Sequence, residues 1–321
     1  MLNTVLGALL PMVVTFLLGF VAAWHHDLGR NDASILNRMV LLYAVPLALF
    51  AGTVTTSRTA LGQDIPLVIA LCLAIIGLYG VVFLLSRIIF RFPTNISALH
   101  ALTASAPAVP FVGPAVLGDL FGGLSAIPIA IASLVINLTV VPVTILLLAL
   151  DTAAKDPKGT SLAAQDKEHL ASPAAKLAET IKQPMVWAPI LAFVVVLSGL
   201  HIPQLIVHSL SLLGNASGGV ALFASGIVLA SGKIKANSHV LFLVFLKNIL
   251  QPALVLGALR WVGYGEPIVS EAVLATAIPT MPIVIMFALQ YRVAQEEAAS
   301  AVFLSVIGSV VTMGVFIALT S

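Results

Sequence analysis

The chain alternates between long apolar stretches and short polar clusters. Apolar runs occupy residues 3–24, 34–56, 66–90, 96–119, 125–150, 184–201, 204–231, 239–262, 268–291 and 298–320. A helix needs roughly 20 mainly apolar residues to cross a bilayer, and each run is close to that. A membrane β-barrel would instead show shorter segments of alternating character. The pattern therefore predicts an all-α polytopic membrane protein with ten transmembrane helices. The composition agrees: 60% of the residues are hydrophobic and 9% are charged, and the mean hydropathy is +1.11. A soluble domain carries about 25% charged residues.

The first run has no basic residue before it and no small-residue cleavage pattern after it, so it reads as the first span. The single cysteine, Cys72, lies inside an apolar run. It reads as packing, because one cysteine supplies neither an intrachain disulfide nor a cysteine cluster for metal. No cofactor and no nucleic-acid partner is expected.

With ten spans the connecting loops fall on alternate sides. The odd-numbered loops and adjacent helix ends hold Arg30, Arg38, Arg87, Arg91, Lys155, Lys158, Lys167, Lys176, Lys182, Lys233, Lys235, Lys247 and Arg292, which is 13 of the 15 Lys and Arg; Arg58 and Arg260 fall on the other side. The bias of positive charge towards the cytoplasm then places these loops inside and both termini outside. The sizeable polar segment, 151–183, mixes charges with Pro, Gly and Ser and reads as a cytoplasmic linker. Its "SPAAKLAETIKQ" stretch predicts a short surface helix, with Ser172 as N-cap and Pro173 at the first helical position.

The linker divides the spans five and five. Five is odd, so the second half lies upside down relative to the first, an arrangement common in duplicated transporters. The predicted organisation is a first five-helix repeat over 1–150, the linker over 151–183 and a second, inverted repeat over 184–321. Residual similarity supports it. Shifting by 172 residues (279 − 107) lays "PAVPFV" on "PTMPIV", so that Pro107 meets Pro279 and Pro110 meets Pro282. Apolar coincidences are cheap in such a composition; two matched prolines in corresponding spans are not. Pro114 has Met286 as its equivalent and no partner.

Proline removes a backbone donor and clashes with the preceding helical turn. Two prolines three residues apart predict that spans 4 and 9 break near Pro107–Pro110 and Pro279–Pro282 and cross there. Backbone unwound at membrane depth must be buried in protein or line a cavity. Paired interruptions in inverted halves point to a midplane transport site. Each break begins a new half-helix, near Phe111 and Ile283. Their N-termini offer free N–H groups and partial positive charge, which favour an anion.

The 13 Asp and Glu lie in loops or near helix ends, whereas a cation antiporter or proton pump places a carboxylate at mid-membrane. Lys247 is expected to snorkel to the cytoplasmic interface, and His100 to lie near that interface. The main polar residues inside spans are Tyr43 in span 2, Asn137 in span 5, Asn248 and Gln251 in span 8, and Ser105, Thr276 and Thr280 beside the breaks; the last three and Asn137 are the binding candidates. The backbone of Pro107, Ala108, Pro110, Pro279, Met281 and Pro282 completes the candidate binding set. Span 7, dense in Gly, Ala and Ser over Gly214–Gly232, suggests a packed scaffold or a dimer face. An intramembrane enzyme is not expected: there is no H-E-x-x-H motif, no intramembrane aspartate pair and no Ser–His pairing at mid-depth.

The segments "LLPMVVTFLLGF", "LNRMVLLYAVPLALFAG", "SAPAVPFVGPAVLG", "QPMVWAPILAFVVVLSGLHIP" and "AIPTMPIVIMFALQY", in this order and spacing, resemble the bacterial branch of the auxin efflux carrier family. The resemblance implies ten spans as two inverted repeats. Spans 1, 2, 6 and 7 would form a dimerising scaffold and the remaining spans a moving transport domain. It implies organic-anion substrates, with malonate carriers most similar. The plant carriers hold an asparagine directly after the first break proline; here that position is Ala108. The departure shifts the expectation from an indole acid to a small dicarboxylate.

The expected function is a secondary active transporter of small organic anions, with a carboxylate such as malonate as substrate, acting by alternating access. Proton coupling is an accompanying expectation. The location would be the bacterial cytoplasmic (inner) membrane, with lipid around a homodimer. A sodium-coupled organic-anion symporter of the bile-acid type is the alternative; it would need clustered Glu, Asn, Gln and Ser ligands at the crossing.

Overall fold

The computed structural model describes residues 2–55, 65–155, 184–200, 202–232 and 234–320. Most of the linker predicted over 151–183, with its Ser172-capped helix, lies outside them. Among the described residues there are helices and no strands.

In chain order the helices are α1 (Leu2–Trp24), α2 (Arg30–Val54), α3 (Ile65–Ile89), α4 (Thr94–Ser105), α5 (Val109–Phe121) and α6 (126–155). They continue with α7 (Pro184–Ser198), α8 (Gln204–Ala230), α9 (Ser238–Val262), α10 (Ile268–Ala277), α11 (Ile283–Gln290) and α12 (Gln295–Leu319). Six of these are long and apolar enough to cross a membrane: α2, α3, the 127–150 part of α6, α8, α9 and α12. Leu9–Trp24, α7 and α10 are shorter apolar helices. The architecture is that of an all-helical polytopic membrane protein. Large apolar side chains such as Leu18, Leu73 and Leu212 are exposed on its outer surface, where lipid rather than water would meet them.

Several long helices contain a widened π turn: Val40–Ala44 in α2, Leu73–Gly77 and Leu85–Ile89 in α3, Ile136–Val140 in α6 and Leu246–Leu250 in α9. Three of these precede a proline by one or two residues, namely Pro46, Pro142 and Pro252. Each proline lacks an N–H for the carbonyl four residues earlier and crowds it. The extra residue in the turn relieves the crowding, and such turns are frequent at functional sites. Here they carry Asn137, Lys247 and Asn248.

The helices associate in two groups. α8 packs on α1 and α2, and α7 packs on α2; α3, α4, α6, α9, α10 and α12 pack among themselves. The small residues of span 7 serve the first group. A Cβ on Gly226 would stand 2.1 Å from the Phe16 carbonyl oxygen, and one on Gly19 would stand 1.9 Å from that of Phe223. The α1 and α8 backbones therefore touch directly, which only glycine permits at these two positions. The density of Gly and Ala in α8 is used within the chain.

Candidate functional site

The prolines break the chain where their spacing predicts. α4 ends at Ser105 and α5 begins at Val109, with Pro110 in its first turn; α10 ends at Ala277 and α11 begins at Ile283, with Pro282 as its N-cap. Ala106 (φ −97°, ψ 103°) and Ile278 (φ −56°, ψ 137°) have left the helical region.

The two breaks pair with each other. Pro107 and Thr280 form an antiparallel bridge. The Ala108 N–H donates to the Pro279 carbonyl at 2.8 Å, and the Met281 N–H donates to the Ala106 carbonyl at 3.0 Å. Backbone groups released by helix rupture must find partners when buried; here each break supplies them to the other.

Side chains from two further helices, α9 and α12, complete the seam. The Ser305 hydroxyl on α12 accepts the Thr280 N–H at 2.9 Å and donates to Asn248 Oδ1 at 2.7 Å. Asn248 Nδ2 donates in turn to the Ser305 carbonyl at 2.7 Å. Gln251 Nε2 donates to the Ser105 carbonyl at 2.9 Å and to the Ala74 carbonyl of α3 at 3.0 Å. Lys247 Nζ donates to the Thr276 carbonyl, in the last turn of α10, at 2.6 Å. One turn of α9 thus reaches both broken helices.

A cavity of about 760 Å³ lies between α1, α2, α5, α6 and α8 and reaches the start of α11. It is within the range of about 300–1,000 Å³ usual for small-molecule sites. Pro110, Phe111 and Pro282 bring the N-termini of α5 and α11 to its wall, with Ser133 and Asn137 from α6 and Asn215 from α8. Asn137 Oδ1 is buried without a hydrogen-bond partner. Pro114 lies on the same wall. Having no N–H, it gives the Pro110 carbonyl no helical donor, which leaves an acceptor on this stretch of α5.

Of the residues singled out by sequence, Pro110, Asn137 and Pro282 line the cavity. Ser105, Pro107, Ala108, Thr276, Pro279, Thr280 and Met281 are buried in the crossing behind it. The Thr280 hydroxyl donates to the Thr103 carbonyl at 2.9 Å. That of Thr276 donates to the Ala272 and Val273 carbonyls. Ser105 Oγ has no partner.

Two expectations are corrected, and a third residue, His100, gains partners that the sequence did not name. The Phe111 N–H is not free: the tight first turn of α5 bonds it to the Ala108 carbonyl at 3.0 Å. Lys247 does not reach an interface. It is fully buried, because its turn faces the end of α10 and a carbonyl there receives the ammonium. His100 is buried too, with Nδ1 3.0 Å from His239 Nε2 and Nε2 3.9 Å from Glu297 Oε2. Helix packing of α4 against α9 and α12 encloses it.

Residues that sequence reasoning did not place in the site include Asn215 and Ser133. Asn215 lay hidden in a stretch that read as packing. Ser133 had one signal, because the 172-residue shift lays it on Ser305, the serine that holds the second break.

Residues 4–317 match the membrane transport protein family. "Uncharacterized transporter YfdV" of Escherichia coli (strain K12) is 31% identical over 99% of this chain and 98% of its own length. A "Putative malonate transporter" of Rhizobium meliloti (strain 1021) is 23% identical over 96% of this chain and 93% of its own length. Neither the family nor these relatives points to a sodium-coupled symporter of the bile-acid type. A fold that is helical among the described residues, with two proline breaks hydrogen-bonded to each other and a family match almost end to end, identifies the chain as a member of the membrane transport protein family, the auxin efflux carrier family that its segments resemble.

Proposed function

We propose that this transporter is a secondary carrier of small organic anions, with a mono- or dicarboxylate such as malonate as substrate, working by alternating access. The observation that carries the proposal is the cavity bounded by the N-termini of α5 and α11. Two helix N-termini at one wall favour negative charge. Asn137, whose amide oxygen has no protein partner, has an amide nitrogen to offer a carboxylate. The printed name of the Rhizobium relative supports malonate.

In this reading α4 with α5 forms span 4, and α10 with α11 forms span 9. The ten spans are two inverted repeats, 1–150 and 184–321, joined by a cytoplasmic linker over 151–183. The group α1, α2, α7 and α8 is the fixed scaffold through which two copies dimerise. The other helices carry the bound anion, and the cavity lies at the junction of the two groups. The protein resides in the bacterial inner membrane with both termini outside. Proton coupling offsets the electrical work on the anion, about 2.3 kcal/mol per charge per 100 mV.

The test is radiolabelled malonate counterflow in proteoliposomes, with succinate, malate and acetate as competitors. Saturable exchange, weakened in Asn137→Leu, is expected. No exchange of any small carboxylate would overturn the reading.

A further inference from the structure

The crossing contains an ionisable side chain that the binding cavity does not use. Lys247 is 0% exposed and is among the largest fully buried side chains among the described residues. It sits nine residues into α9, about 14 Å along a helix of about 37 Å. Its partner is a backbone carbonyl, Thr276 O at 2.6 Å. The ion pairs found among the described residues do not include it. A buried ammonium without a carboxylate bears a large desolvation penalty. Ionisable groups at membrane depth mark ion or substrate pathways, and buried lysines give up their proton readily.

Two further observations tie Lys247 to the breaks. Its acceptor belongs to the last turn of α10, the broken end, where the helix dipole is negative and a cation is stabilised. Its neighbours on the same turn of α9, Asn248 and Gln251, hold the second break through Ser305 and the first through the Ser105 carbonyl. A change of charge at position 247 is therefore felt directly by the seam between the two broken helices.

The charged and titratable groups on the elements packed against this turn are few. His100 on α4, His239 at the start of α9 and Glu296 and Glu297 at the start of α12 belong to one cluster, with Lys235 and Arg30 beside them. Arg260 at the far end of α9 bonds the Leu319 carbonyl. Glu271 on α10 is buried five residues before Thr276.

We propose that Lys247 is the proton carrier of the transport cycle. This rests on the carrier reading above and names the residue of its coupling. The amine lone pair takes one proton from water on the side where the anion enters, an N–H bond forming as a hydronium O–H bond breaks; on the other side the N–H bond breaks and the proton returns to water as the anion leaves. No electrons are exchanged. In either state the side chain keeps an N–H for the Thr276 carbonyl. A monoanion then crosses with no net charge, and a dianion with one unit fewer.

The full-length protein is reconstituted as wild type, Lys247→Arg and Lys247→Gln. Arginine keeps the charge and does not release its proton; glutamine carries none. Malonate counterflow at equal pH needs no net proton movement, so Lys247→Arg, which keeps the charge of the anion-loaded state, should retain it, whereas Lys247→Gln should slow it. An inside-alkaline gradient of one unit should drive accumulation up to about tenfold in the wild type, since one proton per unit is a factor of ten. Both variants should show none. Gradient-driven accumulation at the wild-type level in either variant overturns the proposal, as does a wild type that exchanges malonate but ignores the gradient. A wild type that exchanges no malonate counts against the substrate reading instead. The lysine is then judged by potentiometric titration of purified wild type and Lys247→Gln. One fewer titrating proton per chain in the variant, across the pH range in which both stay monodisperse, supports the proposal; identical proton counts overturn it.

Discussion

Removing Asn248 and Ser305, singly and together, probes the seam most directly. Three hydrogen bonds are involved: Asn248 Nδ2 to the Ser305 carbonyl, the Ser305 hydroxyl to Asn248 Oδ1, and the Thr280 N–H to the Ser305 hydroxyl. Asn248→Ala removes the first two and Ser305→Ala the last two, so the middle bond is counted twice when the single effects are summed. The double variant loses it once. The coupling energy of the cycle is therefore that bond, about 0.6 kcal/mol on the average for side-chain bonds between membrane helices and up to about 1.7. Ser305→Ala also strands a buried backbone N–H at the second break, an additional penalty of about 1–3 kcal/mol. It should be the more damaging single change. Unfolding in mixed micelles with increasing SDS measures all four proteins. Strict additivity, with both single variants measurably destabilised, would refute the assigned geometry. So would a larger loss for Asn248→Ala than for Ser305→Ala.

Other expectations follow from the same structure. Gly226→Leu should abolish folded yield by size-exclusion chromatography, because its Cβ would meet the Phe16 carbonyl at 2.1 Å, whereas Gly219→Ala, with nothing within 4 Å, should be neutral or gain up to about 1 kcal/mol of stability from helix propensity. Pro107→Ala and Pro279→Ala should depress malonate counterflow far more than expression; unimpaired transport in both would remove the crossing from the mechanism. Asn137→Ala should weaken malonate-dependent thermal stabilisation about tenfold, read as a shift in half-maximal concentration, with basal melting little changed.

The breaks were legible because proline acts locally. Pro107 with Pro110, and Pro279 with Pro282, each put two prolines within one helical turn, and their matched spacing showed that the two ruptures correspond. Asn137 stood out because it shares a half with a broken helix and has the polar Ser309 as its equivalent in the other half, and it lines the cavity. What stayed hidden depends on partners distant in sequence. Lys247 looked like an interfacial lysine because hydropathy counts residues from a helix end. It does not say that the Thr276 carbonyl, 29 residues on, receives the charge. The partner of His100 was hidden likewise, His239 lying 139 residues away. The small residues of α8 were read as contact surface, and they are one; that the surface is turned on α1 follows from Gly19 and Gly226 meeting it from both sides. The π turns were not anticipated, although Pro46, Pro142 and Pro252 were the signal for three of them.

The bridge between Pro107 and Thr280 has a mechanical consequence. An unwound segment is ordinarily a place where a helix bends, and two of them would give a molecule two independent hinges. Stitched by a reciprocal pair of hydrogen bonds and laced to α9 and α12, they instead lock four half-helices into a single strut. Flexing either break would leave the other's backbone groups unpaired at membrane depth. In a carrier working by the alternating access proposed above, the whole strut would slide along its neighbours, and the compliant element would be the greasy interface on either side of it.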